Sequence, residues 1–171
     1  ASQNPDFDRL LTGKPRLMII TKTDLADPDI TSRWVNRFKN DGRACVCTAL
    51  NTGRGVREIL PAVRAALADK IERYAAKGMK KTIRMMICGV PNSGKSTLIN
   101  SLCGRRAAQA QDRPGVTRGG QWVTLSSDVE LLDTPGILWP KFEDKTVGEH
   151  LAFTGAVKDN ILDTELLAVR L

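Results

Sequence analysis

The stretch Gly89-Val90-Pro91-Asn92-Ser93-Gly94-Lys95-Ser96 decides the fold. It has the form G-x-x-x-x-G-K-S, whose glycines let the backbone wrap a phosphate chain so that its N–H groups and a helix N-terminus point inward. The flanks are those the pattern requires. Thr82 to Cys88 (T-I-R-M-M-I-C) is short, mostly apolar and closed by Gly89, which reads as a buried strand. Lys95 to Cys103 carries Leu98, Ile99 and Leu102 at helical spacing, and Gly104 offers a stop. Between strand and helix, Lys95 would reach the β- and γ-phosphates of a nucleotide, and the Ser96 hydroxyl would take Mg²⁺.

Working outward, the 171 residues suit one α/β domain with a full core. A hydrophobic content of 42% argues against disorder. No apolar run reaches membrane-spanning length, and the N-terminus lacks the charged and apolar regions of a signal peptide. The chain starts without Met, which suggests a fragment. Cys45, Cys47, Cys88 and Cys103 form no C-x-x-C pair and read as buried free thiols in a reducing compartment. The net charge of +7 is concentrated. Lys77, Lys80, Lys81, Arg84, Lys95, Arg105, Arg106, Arg113 and Arg118 face a single acid, Asp112, between residues 77 and 118. That run fits a polyanion such as RNA, or a solvated face.

N-terminal to the phosphate loop, Arg16 to Thr21 (R-L-M-I-I-T) reads as a buried strand delivering Thr21-Lys22-Thr23-Asp24 to its carboxyl end. Ligands of open α/β sheets collect there. The Asp24 carboxylate can accept from both N1 and N2 of guanine, which adenine cannot offer, and the Lys22 stem can lie over the base. Asp24 therefore argues against an ATPase or kinase. Asp27-Pro28 opens a helix whose apolar face is Ile30, Trp34 and Phe38, with Trp34 in the core. A strand from Arg43 to Cys47 then brings Thr48-Ala49-Leu50 to the same edge, where the small Ala49 lets an N–H approach the guanine O6. One long helix follows Gly55, with Val56, Ile59, Leu60, Val63, Leu67, Ile71 and Tyr74 on its stripe and Pro61 in its first turns or kinking it.

C-terminal to the loop helix, residues 105–120 form a long polar stretch without periodicity, which marks a functional or mobile loop. It carries Thr117. Gln121 to Leu125 and Val129 to Leu132 pair as a hairpin across Ser126-Ser127-Asp128. The second of these ends in Asp133-Thr134-Pro135-Gly136, where Asp133 can hold Mg²⁺ through water and the Gly136 N–H can touch a γ-phosphate. A helix with Val147 and Leu151 inward follows, with His150 on its surface.

These stretches are the five signature elements of a GTPase in rotated order, G4-G5-G1-G2-G3. The chain resembles a circularly permuted Ras-like G domain, a three-layer α/β P-loop NTPase. More narrowly it is similar to the ribosome-biogenesis GTPase A (RbgA/YlqF) family. The resemblance rests on P-N-S-G-K-S-T-L-I-N (91–100), D-R-P-G-V-T (112–117) and L-L-D-T-P-G-I-L-W-P-K-F-E-D (131–144), and it spans essentially residues 1–171. It implies a cytoplasmic GTPase, binding GTP and GDP with Mg²⁺, that acts on the large ribosomal subunit and its rRNA rather than on a membrane or DNA. Thr21, Lys22, Asp24, Thr48 and Ala49 would bind guanine, and Gly89, Val90, Pro91, Asn92, Ser93, Gly94, Lys95, Ser96 and Thr97 the phosphates. Ser96, Thr117 and Asp133 would hold Mg²⁺. Lys95, Thr117 and Gly136 would carry catalysis.

Three departures matter. Thr21 stands where N-K-x-D has Asn, though its hydroxyl can still tie this loop to the phosphate loop. Ile137 stands where Ras-type enzymes place the water-orienting Gln, which leaves open a GTP-gated binding module with negligible turnover. The family's N-terminal strand and C-terminal RNA-binding domain are expected outside residues 1–171. Asn92 resembles the Asn that potassium-activated GTPases place beside a K⁺, or else makes a turn bond.

Overall fold

Among the described residues, two parallel strand pairings and one hairpin carry the β-structure. The computed structural model describes residues 3–104, 121–136, 138, 144–157 and 164–170. After a short helix α1 (Asp6–Leu10), β1 (Leu17–Ile20) and β2 (Ala44–Cys47) run parallel, Leu17 opposite Ala44 and Ile20 opposite Cys47. A parallel pair needs a crossover, and α2 (Pro28–Asn40) supplies it. Asp27 starts that helix by accepting the N–H groups of Asp29 and Ile30 at 2.8 and 2.9 Å, with Pro28 at the first helical position.

Two expectations for these helices are corrected. Trp34 is not core: it is 47% exposed, stacked on Phe38 at 5.9 Å and covered by Arg37 at 5.5 Å. The helix turns Thr31, Val35 and Phe38 toward the protein instead. The single long helix is two, α3 (Val56–Ala66) and α4 (Ala68–Ala75), and the break falls at Leu67, not at Pro61. Pro61 is tolerated inside α3, whose Ile59, Ala62 and Val63 pack into the core. No residue of α4 is buried, so the helix breaks where its packing ends.

The second sheet has the order β3-β5-β4, from β3 (Ile83–Ile87), β4 (Gln121–Ser126) and β5 (Val129–Asp133). β3 runs parallel to β5, with Ile83 opposite Val129 and Ile87 opposite Asp133. β4 returns antiparallel through a turn at Ser127 and Asp128. The expected three-residue connection is one shorter, because Ser126 still pairs with Val129 across a register shift after Thr124. Arg64 of α3 clamps the turn, donating twice to Asp128 at 2.6 and 3.1 Å.

Both sheets sit against one core. Val46, Ile59 and Leu98 are its buried centre, with Leu17 and Ile19 of β1, Ile87 of β3 and Leu102 of α5 (Lys95–Cys103) packed around them. A second cluster joins Val90 of the phosphate loop to Leu151 of α6 (Lys145–Phe153) and to Ala156, with Leu138, Val147 and Val157 alongside. The last helix, α7 (Thr164–Arg170), leaves Val169 86% exposed. Among the described residues β1 and β3 are not hydrogen-bonded neighbours, so each has one side without a described partner strand.

Candidate nucleotide site

The phosphate loop leaves β3 and enters α5 through Gly94, whose φ of +90° only glycine adopts without strain. Asn92 holds a left-handed conformation as well, at φ +55°, and its Nδ2 donates to the Gly155 carbonyl beyond α6. Ser93 Oγ donates to Val90 O at 2.8 Å. The Lys95 ammonium lies along the loop, donating to Gly89 O at 3.0 Å and Val90 O at 2.7 Å. Burial pushes its pKa down, and the Asp133 carboxylate opposes that. Ser96 and Thr97 open toward solvent at the start of the helix, while Leu98 and Ile99 anchor it from beneath.

The end of β5 closes over this loop. Asp133 is 7% exposed. The Thr134 hydroxyl donates to Ile87 O at 2.6 Å, fixing the turn to the neighbouring strand. Gly136 lies so near the phosphate loop that a Cβ there would be 2.8 Å from both N and Cα of Pro91. Burial raises the pKa of the half-buried Cys88 thiol, and the Thr134 hydroxyl and Lys95 pull it back. Cys45, Cys47 and Cys103 are also free thiols, as expected, but half-buried rather than buried.

The loop after β1 meets the phosphate loop through Thr21, whose hydroxyl donates to Ser93 O at 2.7 Å. This is the tie that its position predicts. Lys22 follows at φ +56°. Asp24 is exposed, and Asn51 Nδ2 donates to its Oδ2 at 2.8 Å. Thr48 is fully buried and its N–H donates to Ile20 O at 2.8 Å. The Ala49 N–H donates to Arg54 O at 3.1 Å, and the Arg54 N–H returns to Ala49 O at the same distance. Thr117 and Ile137 lie outside the described residues. The sequence reading missed Asn51, which belongs to no motif.

A strand, a glycine loop and a helix, with a buried aspartate closing beside the loop lysine, define a P-loop nucleotide-binding domain. The comparisons narrow that class. The family described as 50S ribosome-binding GTPase matches residues 84–167. Ribosome biogenesis GTPase A of Priestia megaterium is 47% identical over 171 residues, covering 99% of this chain and 59% of the relative. Mitochondrial ribosome-associated GTPase 1 of Mus musculus is 34% identical over 177 residues, 98% of this chain and 54% of the relative. The crystal structure of GNP-bound YlqF from T. maritima superposes with a TM-score of 0.66 at 27% identity, over 99% of this chain and 60% of that one. The GDP-bound structure of the same protein gives 0.64 at 28% identity, over 91% and 57%. Over nearly its whole length the chain is thus similar to ribosome biogenesis GTPases, and its fold is that of a P-loop GTPase domain. It spans under two thirds of the length of these relatives.

Proposed function

We propose that the protein is a circularly permuted GTPase that converts GTP to GDP and phosphate while assisting assembly of the large ribosomal subunit in the cytoplasm. The observation that carries this reading is the Thr21–Ser93 bond. It brings a carboxylate able to read guanine and a phosphate loop into one site, from segments 72 residues apart. Asp24 would accept from the base. The Ala49 N–H, already bonded to Arg54 O, would share itself with the guanine O6 or yield that contact to the next N–H, at Leu50.

Phosphoryl transfer asks the protein mainly for position and charge. The loop N–H groups and Lys95 would neutralise the charge that develops on the phosphates. The Ser96 hydroxyl and the Asp133 carboxylate are the hard oxygen donors that suit Mg²⁺, with Thr117 expected as a third. Bound there, Mg²⁺ supplies further charge neutralisation at the phosphates. Gly136, pressed on Pro91, would sense whether a γ-phosphate is present, and its release with Thr117 after hydrolysis is the proposed switch.

A K⁺ beside the phosphates suits Asn92. Its Nδ2 is taken by the Gly155 carbonyl, which leaves the amide oxygen, the pole a cation binds. Contact with rRNA rests on the basic run, of which Lys77, Lys80 and Lys81 are exposed. Charge reversal at Lys80, Lys81, Arg105 and Arg106 should weaken subunit binding and leave GTP affinity nearly unchanged.

Single-turnover hydrolysis, with and without large subunits and in KCl or NaCl at matched ionic strength, tests the reading. Faster turnover with subunits and with K⁺ is expected. GTP binding with no hydrolysis in any arm would leave a GTP-gated binding module.

A further inference from the structure

The Asp24 carboxylate is held by a side chain outside every motif. Asn51 donates from Nδ2 to Asp24 Oδ2 at 2.8 Å, while its own Oδ1 accepts the Thr52 N–H at 2.8 Å. Turning the amide over would break both bonds, so its orientation is fixed. Thr52 is fixed in turn, since its N–H and its hydroxyl both reach Ala49 O at 3.2 Å. Beside this, Arg54 Nη2 donates to Thr23 Oγ1 at 3.2 Å, and that hydroxyl donates to Thr48 O at 3.1 Å. Thus the loops after β1 and β2 are stitched at several points. Of these stitches, the Asn51 bond ends on the carboxylate itself.

We infer that Asn51 is a positioning residue for guanine recognition, holding the Asp24 carboxylate in its base-reading orientation before the nucleotide arrives. The inference rests on Asp24 being the group that reads guanine. A carboxylate has about four acceptor directions, so Oδ2 can keep Asn51 while the base donors take the remaining ones. An Asp side chain left unheld would have to be ordered by the ligand, and that cost would weaken binding. Asn51 removes it beforehand. The competing role is purely local: the Thr52 bond could shape the loop 49–54 with no bearing on Asp24.

A double-mutant cycle separates the two. Affinity for fluorescently labelled GDP is measured for the protein, Asn51→Ala, Asp24→Ala and the double variant. Asn51→Ala should weaken GDP about fivefold, the size of one net hydrogen bond, and should add nothing in the Asp24→Ala background. Equal loss in both backgrounds, or none in either, overturns the inference. Asn51→Asp keeps the acceptor for Thr52 but turns an acceptor toward Asp24, so it should lose at least as much as Asn51→Ala. Wild-type affinity in that variant would also overturn it. If Asp24→Ala leaves the preference for GDP over ADP intact, it is the guanine reading of Asp24 that fails.

Discussion

At Gly136 a single methyl group decides whether the Asp133–Gly136 turn can close on the phosphate loop. A Cβ there would stand 2.8 Å from two backbone atoms of Pro91, closer than such contacts allow. Backbone cannot swing aside as a side chain can, so Gly136→Ala should push the turn away. Overpacking of this kind costs about 1–3 kcal/mol. GTP affinity should fall about tenfold by calorimetry, with GDP, which has no γ-phosphate to meet, less affected. A second residue-scale expectation concerns acid. The Arg64 guanidinium, bonded twice to Asp128, holds that carboxyl at about 2 against an ordinary 3.8, helped by the Ser126 hydroxyl. Because the folded-state pKa is the lower one, the clamp stabilises the protein above pH about 4 and fades as pH falls toward 2. Arg64→Leu should return Asp128 toward its ordinary value, as read by a carbon-detected NMR titration.

Among the elements, burial separates residues that share one apolar stripe in sequence. Leu98 of α5 is 1% exposed at the centre of the core, and Leu98→Ala should cost about 2–5 kcal/mol in urea unfolding. Ile71 of α4 is 38% exposed, so Ile71→Ala should cost no more than about 0.5 kcal/mol. The sequence puts Ile71 on the same stripe as Ile59, and only the break at Leu67 parts them. This marks the boundary of what could be read. β1, β2, β3 and the hairpin were legible because short apolar runs bounded by turn residues have few other uses. The start of α2 was legible because Asp27-Pro28 is a local signal. Periodicity alone does not say what a stripe faces, and so Trp34 was misplaced. The Thr21 tie to the phosphate loop was readable from chemistry at a known position. The Asn51 bond to Asp24 spans 27 residues and obeys no spacing rule, so only the folded chain discloses it.

At the scale of the molecule, β1 and β3 share a core but, among the described residues, no ladder, and each leaves one edge without a described partner. Neighbouring strands stand about 4.8 Å apart, and one more parallel strand laid between the two would satisfy both edges. Such a strand, supplied from outside residues 1–171, should raise solubility and nucleotide affinity together. Residues 1–171 alone should self-associate through those edges. Light scattering beside a GTP titration checks this, and a monomeric 171-residue protein with micromolar GTP affinity would refute it. The cluster around Val90 bears on a different matter. The same few residues that shape the phosphate loop are packed on Leu151 and tethered to Gly155, so α6 and the loop cannot be strained independently. Thermodynamic reciprocity then applies: whatever factor a partner gains by gripping α6 in the nucleotide-bound form, the nucleotide gains in return. Slower amide exchange in α6 with GTP bound, and slower GTP release with α6 held, would be two readings of one coupling.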